Sequence, residues 1–179
     1  MRKTRIVALL AAAAAALAAP AAAGACENAG KQPHELTPKQ ARASVMCLMN
    51  QRRRAHGLRK LRHDPRLERA AQRHSQSMDR SNYFSHSSPG GSSPLSRIRS
   101  TGYLSGASSW GIAENIRWGS QGRGSPKTAV NQWMRSPSHR AAILSGSYRE
   151  AGVGVAIGSP TGSYEGNAAI YTATFGYRH

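Results

Sequence analysis

The sequence predicts an α+β domain in which helices cover a small antiparallel sheet, and three observations carry that prediction. Ser, Thr or Asp stands directly before proline at Thr37-Pro38, Asp64-Pro65, Ser93-Pro94 and Ser125-Pro126, and each pair opens a stretch with apolar residues at helical spacing. The last 30 residues change character and hold two strand-like runs rich in Val, Ile, Thr and aromatics. Ser159 to Gly162 lies between them as turn chemistry. A run of helices followed by a run of strands is the pattern of an α+β fold.

Taken in order, Met1 to Ala25 has a basic start (Arg2, Lys3, Arg5), an alanine-dominated apolar run ending at Pro20, and small residues after it. This predicts a signal peptide over residues 1–25. A membrane anchor is the competing reading, but the run stops short of the roughly 20 apolar residues a span requires. Residues 26–36 have no apolar period and form an extended lead-in, and residues 37–179 form one domain. The first helix starts at Thr37 and stops at Gly57, with Ala41, Val45, Leu48 and Met49 as its buried stripe. The second follows Asp64 and places Leu67, Ala70, Ala71, His74 and Met78 on one face, so His74 points inward as a core histidine. It ends near Asn82, before the turn residues around Pro89-Gly90-Gly91. A short helix carries Leu95 and Ile98 and closes at Gly102. Gly111 to Gly119 reads as a strand rich in Ile and Trp. The helix from Pro126 buries Val130, Trp133 and Met134. Ser136-Pro137-Ser138 breaks it, and Ser138 caps a short turn from His139 to Leu144. Gly152 to Gly158 and Ala169 to Gly176 are the closing strands.

The charge balance bounds function. The chain has 25 Lys and Arg against 8 Asp and Glu, a formal net charge of +17. Loss of residues 1–25 removes three basic groups and no acid, leaving +14. An exported, strongly basic small domain suits anionic wall polymers or lipid headgroups. No arginine-rich block alternates with aromatics, which argues against nucleic acid, and no motif for a nucleotide, flavin or haem occurs. Two cysteines, Cys26 and Cys47, predict one structural disulfide in an exported protein.

One carboxylate stands out. Glu114, in Trp110-Gly111-Ile112-Ala113-Glu114-Asn115-Ile116-Arg117-Trp118-Gly119, is the only acid between Asp79 and Glu150. Its apolar surroundings predict a partly buried group that needs hydrogen-bond partners. Asn115 beside it is expected to bond backbone.

The series Leu48-Met49-Asn50-Gln51-Arg52-Arg53, Gly57-Leu58, Tyr83-Phe84-Ser85-His86, Arg97-Ile98 with Gly102-Tyr103, Ala113-Glu114-Asn115-Ile116, Trp133-Met134, Ser136-Pro137-Ser138-His139-Arg140 and Gly152-Val153-Gly154-Val155 resembles the bacterial branch of the CAP superfamily. That superfamily includes cysteine-rich secretory proteins, venom antigens and plant pathogenesis-related proteins. The resemblance covers residues 43 to 177. It implies an α-β-α sandwich with a central antiparallel sheet and an open cavity lined by two histidines and two glutamates. Carried over by position, these are His86, Glu114 and His139, with Ser136 at the fourth place where the family has glutamate.

Three chemistries compete for this set. His86, Glu114 and His139 meet the minimum for a divalent metal such as zinc with an open water position. Ser136 could act as a nucleophile on a histidine, although it lacks a strained elbow and its better reading is a helix end. Or the set is a hydrogen-bonded cavity floor, flanked by Tyr83, Phe84, Trp110 and Trp118. The third reading is preferred: a secreted, monomeric, non-enzymatic binding module for cell-wall, lipid or host ligands. The alternative is a metal-dependent hydrolase of extracellular or wall substrates. Arg140 reads as a solvated or capping cation.

Overall fold

A computed structural model describes residues 26–162 and 166–179; the signal peptide expected over 1–25 lies outside the described residues. The proline pairs start helices where expected. Thr37 caps α1 (Pro38–Ala55) in a complete capping box with Gln40, each side chain accepting from the other's backbone amide. Asp64 caps α2 (Pro65–Arg80) by accepting from the amides of Arg66 and Leu67. Ser93 caps α3 (Pro94–Ser100) and Ser125 caps α4 (Pro126–Arg135). The next helix, α5 (Pro137–Leu144), differs from expectation. Ser136 ends α4 and starts α5 at once, because Pro137 takes the first helical position and Ser138 lies already inside. The lead-in is also not wholly extended, since Pro33–Glu35 forms one 3-10 turn.

Four strands complete the described elements: β1 (Arg62–His63), β2 (Trp110–Ser120), β3 (Glu150–Ile157) and β4 (Ala168–Arg178), in the order β1-β3-β4-β2. The three long strands are antiparallel, and the two-residue β1 adds a short parallel edge on β3. β4 is central, so Ala168 to Gly176 is buried without interruption.

Side-chain alternation divides the sheet into two faces. Ala151, Val153 and Val155 of β3 and Tyr171, Ala173 and Phe175 of β4 pack into the main core with α1, α4 and α5. The opposite face takes α2 and α3, giving the α-β-α layering that the family resemblance implies. The contact of α2 with β3 is made backbone to backbone. A Cβ at Gly152 would lie 2.0 Å from the Glu68 amide nitrogen, and one at Gly154 would lie 2.2 Å from the Ala71 carbonyl carbon. Glycine at this spacing is a track for the helix, which strand propensity alone does not explain. Cys26 and Cys47 are bridged, with Cα atoms 5.7 Å apart, tying the lead-in to α1.

Candidate functional site

Glu114 projects from β2 on the α2–α3 face, and its side chain is only 2% exposed. Burial of a carboxylate demands charge-assisted partners, and α3 and the segment before it supply them. Arg97 of α3 donates through Nη2 to both carboxylate oxygens, at 3.0 and 2.9 Å. The same guanidinium donates to the carbonyls of Ser92 (2.7 Å) and His86 (2.8 Å), so it also pins the segment before α3. His86 donates through Nδ1 to Glu114 Oε1 at 2.9 Å, while half of its side chain faces solvent. His74 of α2, fully buried, donates through Nε2 to the Ser85 carbonyl at 2.9 Å and sits 3.8 Å from Glu114 Oε1. Its Nδ1 remains an acceptor, 3.4 Å from the Tyr83 hydroxyl. Burial pulls the His74 pKa down to about 4, against the opposing pull of Glu114, so this ring is neutral near pH 7.

His139 reaches the site from α5, on the other side of the β2 edge. Its backbone carbonyl accepts from Asn115 Nδ2 at 2.9 Å, the backbone anchoring expected of that asparagine. Its ring Nδ1 meets Ser136 Oγ at 2.8 Å. Burial, then the neighbouring charge of His86, lowers the His139 pKa. Between α4, α5 and the β2 edge lies a cavity of about 330 Å³ whose lining includes Phe84, Ile116, Arg117, Trp118, Ser136 and His139. Trp133 closes the strand edge by donating Nε1–H to the Ile116 carbonyl.

Residues 47–175 match the sequence model of the cysteine-rich secretory protein family, CAP. This chain belongs to the CAP family. Over 111 residues it is 34% identical to the uncharacterized membrane protein YlbC of Bacillus subtilis (strain 168), a match covering 62% of this chain and 30% of that protein. The chain therefore spans under a third of that relative's length. Among solved structures it is similar to an outer surface protein from Borrelia burgdorferi, with TM-score 0.65, 21% identity, and coverage of 80% of this chain and 97% of the other. It is also similar to an extracellular protein containing an SCP domain from Bacillus anthracis str. Ames, with TM-score 0.59, 28% identity, and coverage of 78% and 43%. Among the described residues no helix is long and apolar enough to cross a membrane.

The CAP domain brings the candidate residues together unevenly. His86 and Glu114 touch; His139 neighbours His86 but bonds Ser136 instead of Glu114. Zinc on His86, Glu114 and His139 is one of three readings of the set, and among the described residues no group of three or more His, Cys, Asp or Glu side chains is placed to hold a metal ion. The Arg97 guanidinium already engages both oxygens of Glu114. The donor set does not fit a metal. Nor is a Ser-His-carboxylate relay assembled at Ser136, because the carboxylate of this site bonds His86. The aromatic surround is smaller than expected as well. Trp110 starts β2, eight residues from Trp118 and so roughly 27 Å along an extended strand. There it stands exposed, with Arg99 stacked 5.7 Å from its ring.

Sequence reasoning missed Arg97 and gave His74 no part in the Glu114 network. The one available signal for Arg97 was that a buried carboxylate calls for a forked, permanently charged donor. With 25 cations in the chain, nothing local singled it out.

Proposed function

We propose that this CAP domain is a secreted, monomeric, non-enzymatic binding module, and that its ligand site is the cavity lined by His139, with the His86–Glu114 pair nearby. The ligands in view are cell-wall polymers, lipids or host molecules. The observation that carries the reading is the state of Glu114: both oxygens are engaged by Arg97 and His86, and the side chain is 2% exposed. A carboxylate so held is a structural group beside the cavity, and its engaged oxygens favour binding over service as base, nucleophile or metal ligand. The disulfide and the extracellular and outer-surface descriptions of the structural neighbours support an exported protein.

Hydrolysis is kept as the second reading because of one contact, Ser136 Oγ to His139 Nδ1 at 2.8 Å. The two are separated by labelling with a fluorophosphonate probe and by pull-down on purified peptidoglycan and on anionic liposomes at low and high salt. A binding module shows retention that His139→Ala and Phe84→Ala weaken, with no labelling. Labelling that disappears in Ser136→Ala establishes hydrolysis. Indifference to both ligands in every condition removes the binding reading.

A further inference from the structure

Beside the cavity, β2 ends in a tight turn that presents two arginines to one depression. Gln121 and Gly122 both have positive φ (49° and 79°), and the Arg123 amide donates back to the Ser120 carbonyl at 2.9 Å, the geometry of a rigid two-residue turn. The turn is anchored from below. Tyr171, buried in β4, donates its hydroxyl to the Gly124 carbonyl at 2.6 Å, and a Cβ at Gly119 would meet the Arg123 carbonyl oxygen at 2.3 Å. Arg123 is therefore carried on fixed backbone. Arg117, three residues before the end of β2, faces the same depression of about 370 Å³.

The two guanidiniums are close enough that Arg123 depresses the pKa of Arg117, on top of the larger effect of burial. Like charges brought together cost energy unless a counter-charge offsets them. Among the described residues no carboxylate forms an ion pair with either. Arg117 Nε is buried with no hydrogen-bond partner. Three buried or half-buried arginines elsewhere have their terminal groups engaged: Arg53 by the carbonyls of Ile143 and Ser145, Arg66 by Asp64, and Arg97 by Glu114. At the β2 turn the fold holds two cations in a shared concavity, and among the described residues no carboxylate pairs with them. Arg117 and Trp118 line this depression and the aromatic cavity alike, so the two are contiguous.

We infer that Arg117 and Arg123 form an oxyanion subsite for a phosphate group, placed where the ligand of the adjoining cavity would carry its negative charge. The inference rests on the binding-module reading and names the chemistry recognised. Forked guanidinium donors match phosphate oxygens, and among the described residues no carboxylate competes for these two. A phosphate of this kind occurs on a lipid headgroup and on a glycerol-phosphate wall polymer.

Calorimetry and thermal melts of the purified protein with inorganic phosphate test the subsite directly, since they need no wall or membrane. Wild type is expected to bind phosphate and to gain thermal stability with it. Arg123→Gln, an exposed turn side chain, should weaken phosphate binding by about tenfold or more while melting no lower than wild type without phosphate. Arg117→Gln should behave alike, and Arg54→Gln, an exposed cation of α1, should stay within about twofold of wild type as a control for diffuse charge. Phosphate binding unchanged in both Arg117→Gln and Arg123→Gln, or lost equally in Arg54→Gln, overturns the subsite. Retention on anionic phospholipid liposomes that survives undiminished in a variant deaf to phosphate overturns the placing of this subsite at the ligand's charge and leaves the module reading standing. Short-chain phosphatidylglycerol and glycerol-phosphate oligomer, titrated separately, distinguish the source: the preferred one binds more tightly than free phosphate and loses that advantage in Phe84→Ala if an apolar tail enters the cavity.

Discussion

Arg97 and Glu114 each satisfy the other inside the protein, and neither has water to fall back on. Removing one partner leaves an unpaired buried charge, which costs far more than the pair itself contributes. Glu114→Ala is expected to destabilise by about 3–5 kcal/mol in urea unfolding, and Glu114→Gln by less, since it keeps one acceptor oxygen. Replacing both, as Arg97→Met with Glu114→Leu, should recover a large part of that loss, which a double-mutant cycle reads directly. His74 makes a second prediction, about pH. Its folded-state pKa of about 4 lies below the ordinary histidine value, so between pH 6.5 and 4 the unfolded chain binds the proton and the folded one does not. Stability therefore falls as pH drops through that window, by an amount on the order of 3 kcal/mol, and flattens below it. A slope over pH 6.5 to 4 that persists unchanged in His74→Gln would assign the effect elsewhere.

The helices were legible residue by residue because their start signals are local: a capping side chain and a proline fix where α1 to α4 begin, whatever they pack against. The sheet was legible as strand-forming runs but not as a sheet. β1 is two residues long and exists only because β3 lies beside it, so no local pattern announces it. The glycines of β3 were read as strand residues, and their actual purpose, admitting the α2 backbone, depends on a contact across more than 80 positions of chain. Gly154→Ala should thus be severe: a Cβ 2.2 Å from Ala71 forces α2 off the sheet, and a loss of several kcal/mol or failure to fold is expected in thermal melts. Gln72 performs a further service on the same helix. Its amide accepts from the Val155 N–H at 3.0 Å and donates to the Val155 carbonyl at 2.9 Å, standing where a neighbouring strand would bond. Gln72→Ala is expected to cost about 1–3 kcal/mol and to raise concentration-dependent association, visible by light scattering, as the β3 edge is bared.

Across the whole molecule, the α-β-α layering and the CAP family were readable from motif order, because that order survives where each motif alone says little. The cavity was only half readable. Family positions marked His86, Glu114 and His139, but they carry no information on which cation answers Glu114, and a guanidinium there changes the chemistry of the entire site. The disulfide is the global staple: it closes a 21-residue separation and joins the lead-in to α1. Reduction should lower stability by about 3 kcal/mol, read as a fall in melting temperature, without altering the Arg97–Glu114 network on the far side of the sheet.

The seat of Arg97 has one more consequence, for inheritance. This single side chain answers Glu114, the His86 carbonyl and the Ser92 carbonyl together, so no single substitution at position 97 or 114 leads to a comfortable neighbour. A lineage that abandons the glutamate must change the arginine in nearly the same step, or pass through a protein that barely folds. Charge at 97 and at 114 should thus be kept together or lost together among descendants of this domain.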